Sequence, residues 1–163
     1  GHIARAFQEF DQSEAYLDHC LALCCDLGLD DPVNRTRCAR GFIALHKCDE
    51  KAAETFFKET LQKAQEMNFT DVILLCIAGF AGLNLLKGNR ETAIRLFGTC
   101  IAHWDPNQDI MAPYKVVDID PFIDRCRRET EKDLFDRAWT EGSALSVDQA
   151  VQIAQESLNL IPP

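Results

Sequence analysis

The chain reads as an all-α fold of stacked helical hairpins, and three observations lead there. Three segments superpose without gaps: Phe10-Asp11-Gln12-Ser13-Glu14-Ala15, Cys48-Asp49-Glu50-Lys51-Ala52-Ala53 and Gly88-Asn89-Arg90-Glu91-Thr92-Ala93. Their closing alanines lie 38 and 40 residues apart, and His19, Phe57 and Phe97 follow four residues later. A recurrence of about 20–50 residues marks stacked units, none of which buries its apolar face alone. Second, apolar residues recur at helical spacing, as in Ala93, Leu96, Phe97, Cys100 and Ile101. Third, helix stop and start signals separate these stretches at short intervals.

Taken in order, Ile3 to Glu9 reads as the tail of a helix, which suggests a piece of a larger polypeptide after a Gly1-His2 remnant. The next helix spans about 12–27, with Gly28 suited to a left-handed C′ position. Asp31-Pro32 supplies a cap and a proline at the first turn for a helix to about Lys47. Asp49 caps a helix ending near Asn68, Thr70 or Asp71 opens one that stops at Gly88, and Asn89 caps the next. Residues 105–120, with Pro106, Pro113 and extended-preferring Tyr114, Val116 and Val117, read as an ordered loop. Asp120-Pro121 starts a polar helix to about Lys132, and 133–141 continue as a helix closed by Gly142. Ser146 and Gln149 form a capping box for a final helix to about Leu160. The expected organisation is a single domain: hairpins over 3–104, a loop over 105–120 and a helical cap over 121–163.

Composition narrows the function classes. A formal charge of −9 disfavours a nucleic-acid partner, since phosphate binding needs a basic face. No apolar run approaches the roughly 20 residues of a membrane span, and no signal peptide is expected ahead of the first helix. The eight cysteines fall mostly inside helical patterns, as small core hydrophobes do in a reducing, cytoplasmic setting.

The hairpins resemble tetratricopeptide repeats, with Gly41 and Ala81 as the small residue of the first helix. Ala53 and Ala93 then stand as the alanine of the second helix, followed by Phe57 and Phe97. The stretches Ala93-Ile94-Arg95-Leu96-Phe97-Gly98, Phe135 to Ser146 through Ala138-Trp139-Thr140-Glu141-Gly142, and Gln149-Ala150-Val151 are similar to a further group. They resemble the helical-repeat tails of bacterial LuxR-type regulators and related signal-transduction NTPase or nucleotide-cyclase proteins. The resemblance implies a non-enzymatic interaction or sensing module that binds a protein or peptide, including other domains of its own polypeptide. In tetratricopeptide repeats the first helix of each hairpin lines a concave groove. That implies Arg35, Cys38, Phe42, Leu45 and His46 as one set of contacts, and Leu75, Ala78, Gly82, Leu85 and Leu86 as another. The second set is too apolar for open water. The helix bearing Trp139, or the last one with Val151, Ile153, Ala154 and Leu158, is therefore expected to fold back as a cap anchored by a buried Trp139.

Other constellations read more simply. Cys20 and Cys24 share a helix face beside His19 and Cys25, which admits a redox or metal sensor as an alternative. Structural zinc wants four ligands and no second pair exists, so neither metal nor cofactor is expected. His46 and His103 have no nucleophile motif nearby, and no catalytic residue is assigned. Asp30-Asp31 and Asp118-Ile119-Asp120 lack the spacing of a calcium loop and are explained by capping at Asp31 and Asp120. Arg35, Arg37 and Arg40 read as a solvated helix face. A stand-alone adaptor using the same groove is the remaining alternative.

Overall fold

The computed structural model describes residues 4–5, 9–105 and 112–159, with the backbone alone at 158 and 159. All regular structure among the described residues is helical. Five long helices come first: α1 (Phe10–Asp26), α2 (Asp30–His46), α3 (Glu50–Met67), α4 (Thr70–Leu86) and α5 (Arg90–Ala102). Three more follow: α6 (Asp120–Glu129), α7 (Lys132–Ser143) and α8 (Val147–Asn159). A helical turn at Ala112–Tyr114 and a π-helical turn at Lys115–Ile119 lead into α6. No described helix is long and apolar enough to cross a membrane.

The first five helices begin at residues 10, 30, 50, 70 and 90, one every twenty residues. One turn sets this rhythm four times. Gly28, Cys48, Asn68 and Gly88 all hold positive φ. At each, the following N–H reaches back to a carbonyl five residues earlier: Leu29 to Cys24, Asp49 to Ala44, Phe69 to Ala64 and Asn89 to Asn84, at 2.8–2.9 Å. This is the Schellman closure, which satisfies orphan carbonyls at a helix end. The short links make neighbours antiparallel, and ion pairs such as Lys47–Glu14 and Lys87–Glu54 tie the end of one helix to the start of another.

The forty-residue pairing corrects the register expected for the first repeat. Ser13 and Leu17, not Ala15 and His19, are buried and align with Ala53 and Phe57 and with Ala93 and Phe97. The gapless superposition was two residues out because the chain before Gly28 carries no deletion; Ala15 and His19 face water.

Phe57 shows how tightly α2, α3 and α4 close. A methyl built on Gly41 would lie 2.7 Å from its ring, and one on Gly79 only 2.3 Å away. Two glycines thus make the slot that one phenylalanine fills, with Phe42 edge-on at 5.2 Å and Phe80 at 6.0 Å. On the far side, α5 and α7 meet backbone to backbone. A methyl on Gly142 would stand 2.0 Å from the Arg95 carbonyl oxygen, and one on Gly98 would stand 2.7 Å from that of Trp139. The Thr99 hydroxyl donates to the Gly142 carbonyl at 2.7 Å. Helix α8 folds back on α4 and α5, burying Ala150, Val151 and Ala154. Buried Asn84 donates to Ser157 Oγ at 2.9 Å. The expected return of the last helix is therefore observed, with Ile153 half-buried; the Leu158 side chain lies outside the described residues.

Several local expectations need amendment. Residues 112–119 are helical, not a loop, while 106–111 lie outside the described residues, as do Ile3, residues 6–8 of the first expected helix and the final turn at Leu160. Helix α6 stops at Glu129, because Thr130 and Glu131 turn extended. Asp31 does not cap α2; its carboxylate accepts from Arg35 at 3.0 Å instead. Asp120 pairs with Lys115 at 2.8 Å inside a chain already helical. The Asp49 cap holds, accepting from Ala52 N–H at 3.0 Å, and so does the Ser146–Gln149 box.

Gly79→Ala should cost about 1–3 kcal/mol of unfolding free energy by overpacking. Combined with Phe57→Leu it should cost less than the sum of the single changes; strictly additive urea melts would show that the methyl does not press on that ring. Cys48→Gly should instead stabilise by up to about 1 kcal/mol, since a left-handed residue with a Cβ is strained. A melt unchanged or lowered would refute that account of the turn.

Candidate interaction surfaces

Of the residues expected to line an open groove, Arg35, Phe42 and His46 on α2 meet the chain's own 112–126 segment. Cys38, Phe42, Leu45, Leu75 and Leu85 are fully buried, Leu86 and His46 half-buried. Ala78 and Gly82 are buried too. Tyr114 lies over the α2 side of this face, its hydroxyl donating to the Arg35 carbonyl at 2.8 Å and its ring 6.2 Å from Phe42. Phe122 tilts against His46 at 5.3 Å, and Phe10 stacks on the same imidazole at 5.5 Å. α2 thus does not present Cys38 and Phe42 to solvent. Reaching them requires moving residues 112–126.

Beneath Tyr114 lies a charge pair that sequence reasoning missed. Arg5 Nη2 and Nε donate to the Asp118 carboxylate at 2.6 and 3.0 Å, both side chains wholly out of water. The Arg5 guanidinium also lies 5.3 Å from the Tyr114 ring centre. His46 Nε2 comes within 3.6 Å of the same carboxylate. Burying two charges is costly, and removing one partner of such a pair typically costs about 3–5 kcal/mol. The signal was legible: Tyr114, Asp118 and Phe122 recur every four residues, with Ile119, Ile123 and Cys126 beside them. Prolines and β-branched neighbours masked that helical spacing.

The arginines are not a free stripe. Arg35 donates to Asp31 and to Asp71, and these carboxylates raise its pKa against the opposing pull of burial. Arg40 pairs with Asp18 at 2.7 Å and lies 5.2 Å from the Phe56 ring. Arg37 is half-buried beside the α1–α2 turn.

Trp139 is half-buried, so the close glycine contacts of α5 and α7, rather than the indole, do the anchoring. Its ring stacks on Phe135 at 5.5 Å. The Arg127 guanidinium stands 5.3 Å from Phe135 and 6.0 Å from Trp139. A cleft of about 540 Å³ opens here between the end of α6 and α7, bordered by Arg127, Thr130, Lys132, Phe135 and Trp139. The Thr130 hydroxyl is buried at this cleft without a hydrogen-bond partner.

The cysteines divide by burial. Cys38 and Cys76 face each other at 3.7 Å inside the core, and Cys100 and Cys126 are buried elsewhere. Cys20 and Cys24 approach to 3.9 Å on α1, while Cys25 and Cys48 are exposed. Burial raises the Cys24 thiol, with Cys20 adding to it; a raised thiol is a poor nucleophile and metal ligand at neutral pH. Among the described residues, no three His, Cys, Asp or Glu side chains are grouped to hold a metal ion.

Comparison of the chain with known protein families, with curated proteins and with solved structures finds no match.

The buried thiols generate a pH dependence. Burial pushes Cys100 and Cys126 up to about 12 and lifts Cys76 and the Tyr114 hydroxyl as well. Unfolded thiols ionise near about 8.5, so the folded state keeps protons that the unfolded state releases. Stability is then whole below about pH 8.5 and is lost as pH climbs toward 12, each such thiol steepening the fall by about 1.4 kcal/mol per pH unit. Urea melts between pH 7.5 and 10.5 in reductant check this. Cys100→Ala should flatten the slope, and an identical slope would exclude that thiol.

Proposed function

We propose that this chain is a non-enzymatic protein-interaction or signal-sensing module of a larger regulatory protein. It works as a tetratricopeptide-like solenoid in which α2–α3 and α4–α5 form two hairpins, α1 is the second helix of a preceding one, and α7 and α8 close the stack. The reading includes a cytoplasmic setting and a bacterial regulator of the LuxR type, both resting on the sequence resemblance and cysteine usage described above.

One observation carries the proposal. The face made by α2 and α4 holds a helical segment whose Tyr114, Ile119, Phe122 and Ile123 are buried and whose Asp118 meets a buried arginine. Such a face takes an amphipathic helix with an aromatic anchor, which is a recurring mode of peptide recognition. In this reading a partner helix of like chemistry competes with residues 112–126, and the bound and unbound packings are the two states of the sensor.

The test separates groove from segment. A labelled peptide of residues 112–129 should not bind the intact chain, whose groove is filled. The variant Tyr114→Ala/Phe122→Ala, shown folded by circular dichroism, should capture that peptide with a Kd of roughly 10 µM. Asp118→Asn alone should give weaker capture. A folded variant that ignores the peptide would sink the groove reading.

A further inference from the structure

Exposed large apolar side chains are concentrated on one helix. Of five among the described residues, Tyr16 at 55%, Leu23 at 49% and Leu27 at 70% exposure belong to α1 and its end; Leu29 lies just beyond, and Val116 alone lies elsewhere. Spaced seven and four residues apart, Tyr16, Leu23 and Leu27 form one stripe along α1. It borders the face that Leu17 buries against α2, so only half of an amphipathic helix is covered.

The forty-residue spacing says what such a stripe does elsewhere. Tyr16, Leu23 and Leu27 correspond to Phe56, Lys63 and Met67 on α3. Phe56 and Met67 meet α2, while Lys63 is exposed at the edge of a cleft that Val33, Asn34 and Arg37 of α2 also line. The Arg40 guanidinium lies over Phe56 at 5.2 Å, and Asn34 Nδ2 donates to Met67 Sδ at 3.9 Å. The other side of α1 repeats the other side of α3: Lys47 grips Glu14 as Lys87 grips Glu54. α1 therefore stands to α2 as α3 stands to α4, and the two ends of the stripe, Tyr16 and Leu27, fall where α3 receives α2. The path into that place is also present. Glu9 N–H donates to the Ala4 carbonyl at 2.8 Å, the same five-residue closure that ends α1 to α4. Ala4 and Arg5 are helical and buried at the near end of α1.

We propose that the Tyr16–Leu23–Leu27 stripe is the seat of an α-helix lying antiparallel on α1 as α2 lies on α3. It would be supplied by polypeptide that joins the chain ahead of Ala4 and would bring a cation over the Tyr16 ring. The proposal rests on the reading of this chain as one module of a larger protein, but not on the groove under residues 112–126. A second copy is the poorer occupant, because each chain carries a formal charge of −9, so two copies repel each other.

The experiment supplies the missing helix in register. Residues 30–43, which precede Ala44 as the seated helix would precede Ala4, are fused directly ahead of Ala4. The extended chain should melt at least about 5 °C above the original and protect Tyr16 from acrylamide quenching. Leu23→Asp/Leu27→Asp should erase that gain while leaving the melt of the unextended chain nearly unchanged, since both side chains are exposed. An extension with no gain, or a gain that survives the double substitution, overturns the proposal. So does sedimentation of the unextended chain as a dimer that the same double substitution dissociates, which would assign the stripe to a second copy. Peptide capture by the groove is unaffected by either result, so the two readings fail separately.

Discussion

The left-handed turn that recurs every twenty residues is the constraint on which the rest depends. A helix buries a stripe, and a stack of helices closes only if successive stripes face one another. Equal helices joined by the same turn meet that condition without adjustment. Gly28, Cys48, Asn68 and Gly88 hold positive φ at the four places where the chain reverses, and the closing hydrogen bonds fix how each helix leaves its predecessor. From this regularity follows the slot for Phe57, because Gly41 and Gly79 come to the same ring from the two neighbouring helices. The repeated lysine–glutamate pairs also follow. A residue inserted into α2 or α3 would rotate every later stripe by about 100°, so the rhythm is a packing requirement rather than a decoration.

Much of this was legible, and the exceptions have physical causes. Helical spacing marked α1 to α5 and α8 closely, because propensity and periodicity agree there. Of the expected N-terminal caps only Asp49 and Ser146 hold, and Asn89 makes no cap bond. Cys48 gave no sign of its left-handed backbone, since cysteine carries no such preference; only the twenty-residue spacing from Gly28 betrays it. The first repeat was set two residues out because Ala15 and His19 look more like Ala53 and Phe57 than Ser13 and Leu17 do. Residue resemblance misled where turn spacing would have led correctly. At 112–119, prolines and valines suggested a loop, yet the tertiary environment holds a helix widened by a π turn, a form frequent where function demands an irregular helix. The candidate groove residues were expected on an open face, and Cys38, Phe42, Leu45, Leu75 and Leu85 are buried instead. The helical spacing of Tyr114, Asp118 and Phe122 was there to be read. Its pairing with Arg5 was not, because Arg5 and Asp118 lie 113 residues apart in sequence and no local pattern joins them.

The two C-terminal pieces are fastened by different physics, and that difference bears on what can move. α7 meets α5 through Gly98 and Gly142, where backbone touches backbone. Such contact leaves no alternative packing, because any shift opens a void or a clash. The 112–126 segment is held by side chains: the Tyr114 hydroxyl on a carbonyl, Phe122 on His46, and the Asp118 charge in the grip of Arg5. A buried ion pair gains little net energy over an apolar contact, yet it tolerates few arrangements. It therefore specifies where the segment sits more than it holds it there. The extended residues Thr130 and Glu131 break the helix between α6 and α7, and Arg127 of α6 still lies against Phe135 and Trp139 of α7. In the proposed reading, a competing helix with its own carboxylate for Arg5 replaces one satisfied pair with another. The exchange leaves no buried charge alone, and its balance is set by the aromatic and aliphatic side chains around it.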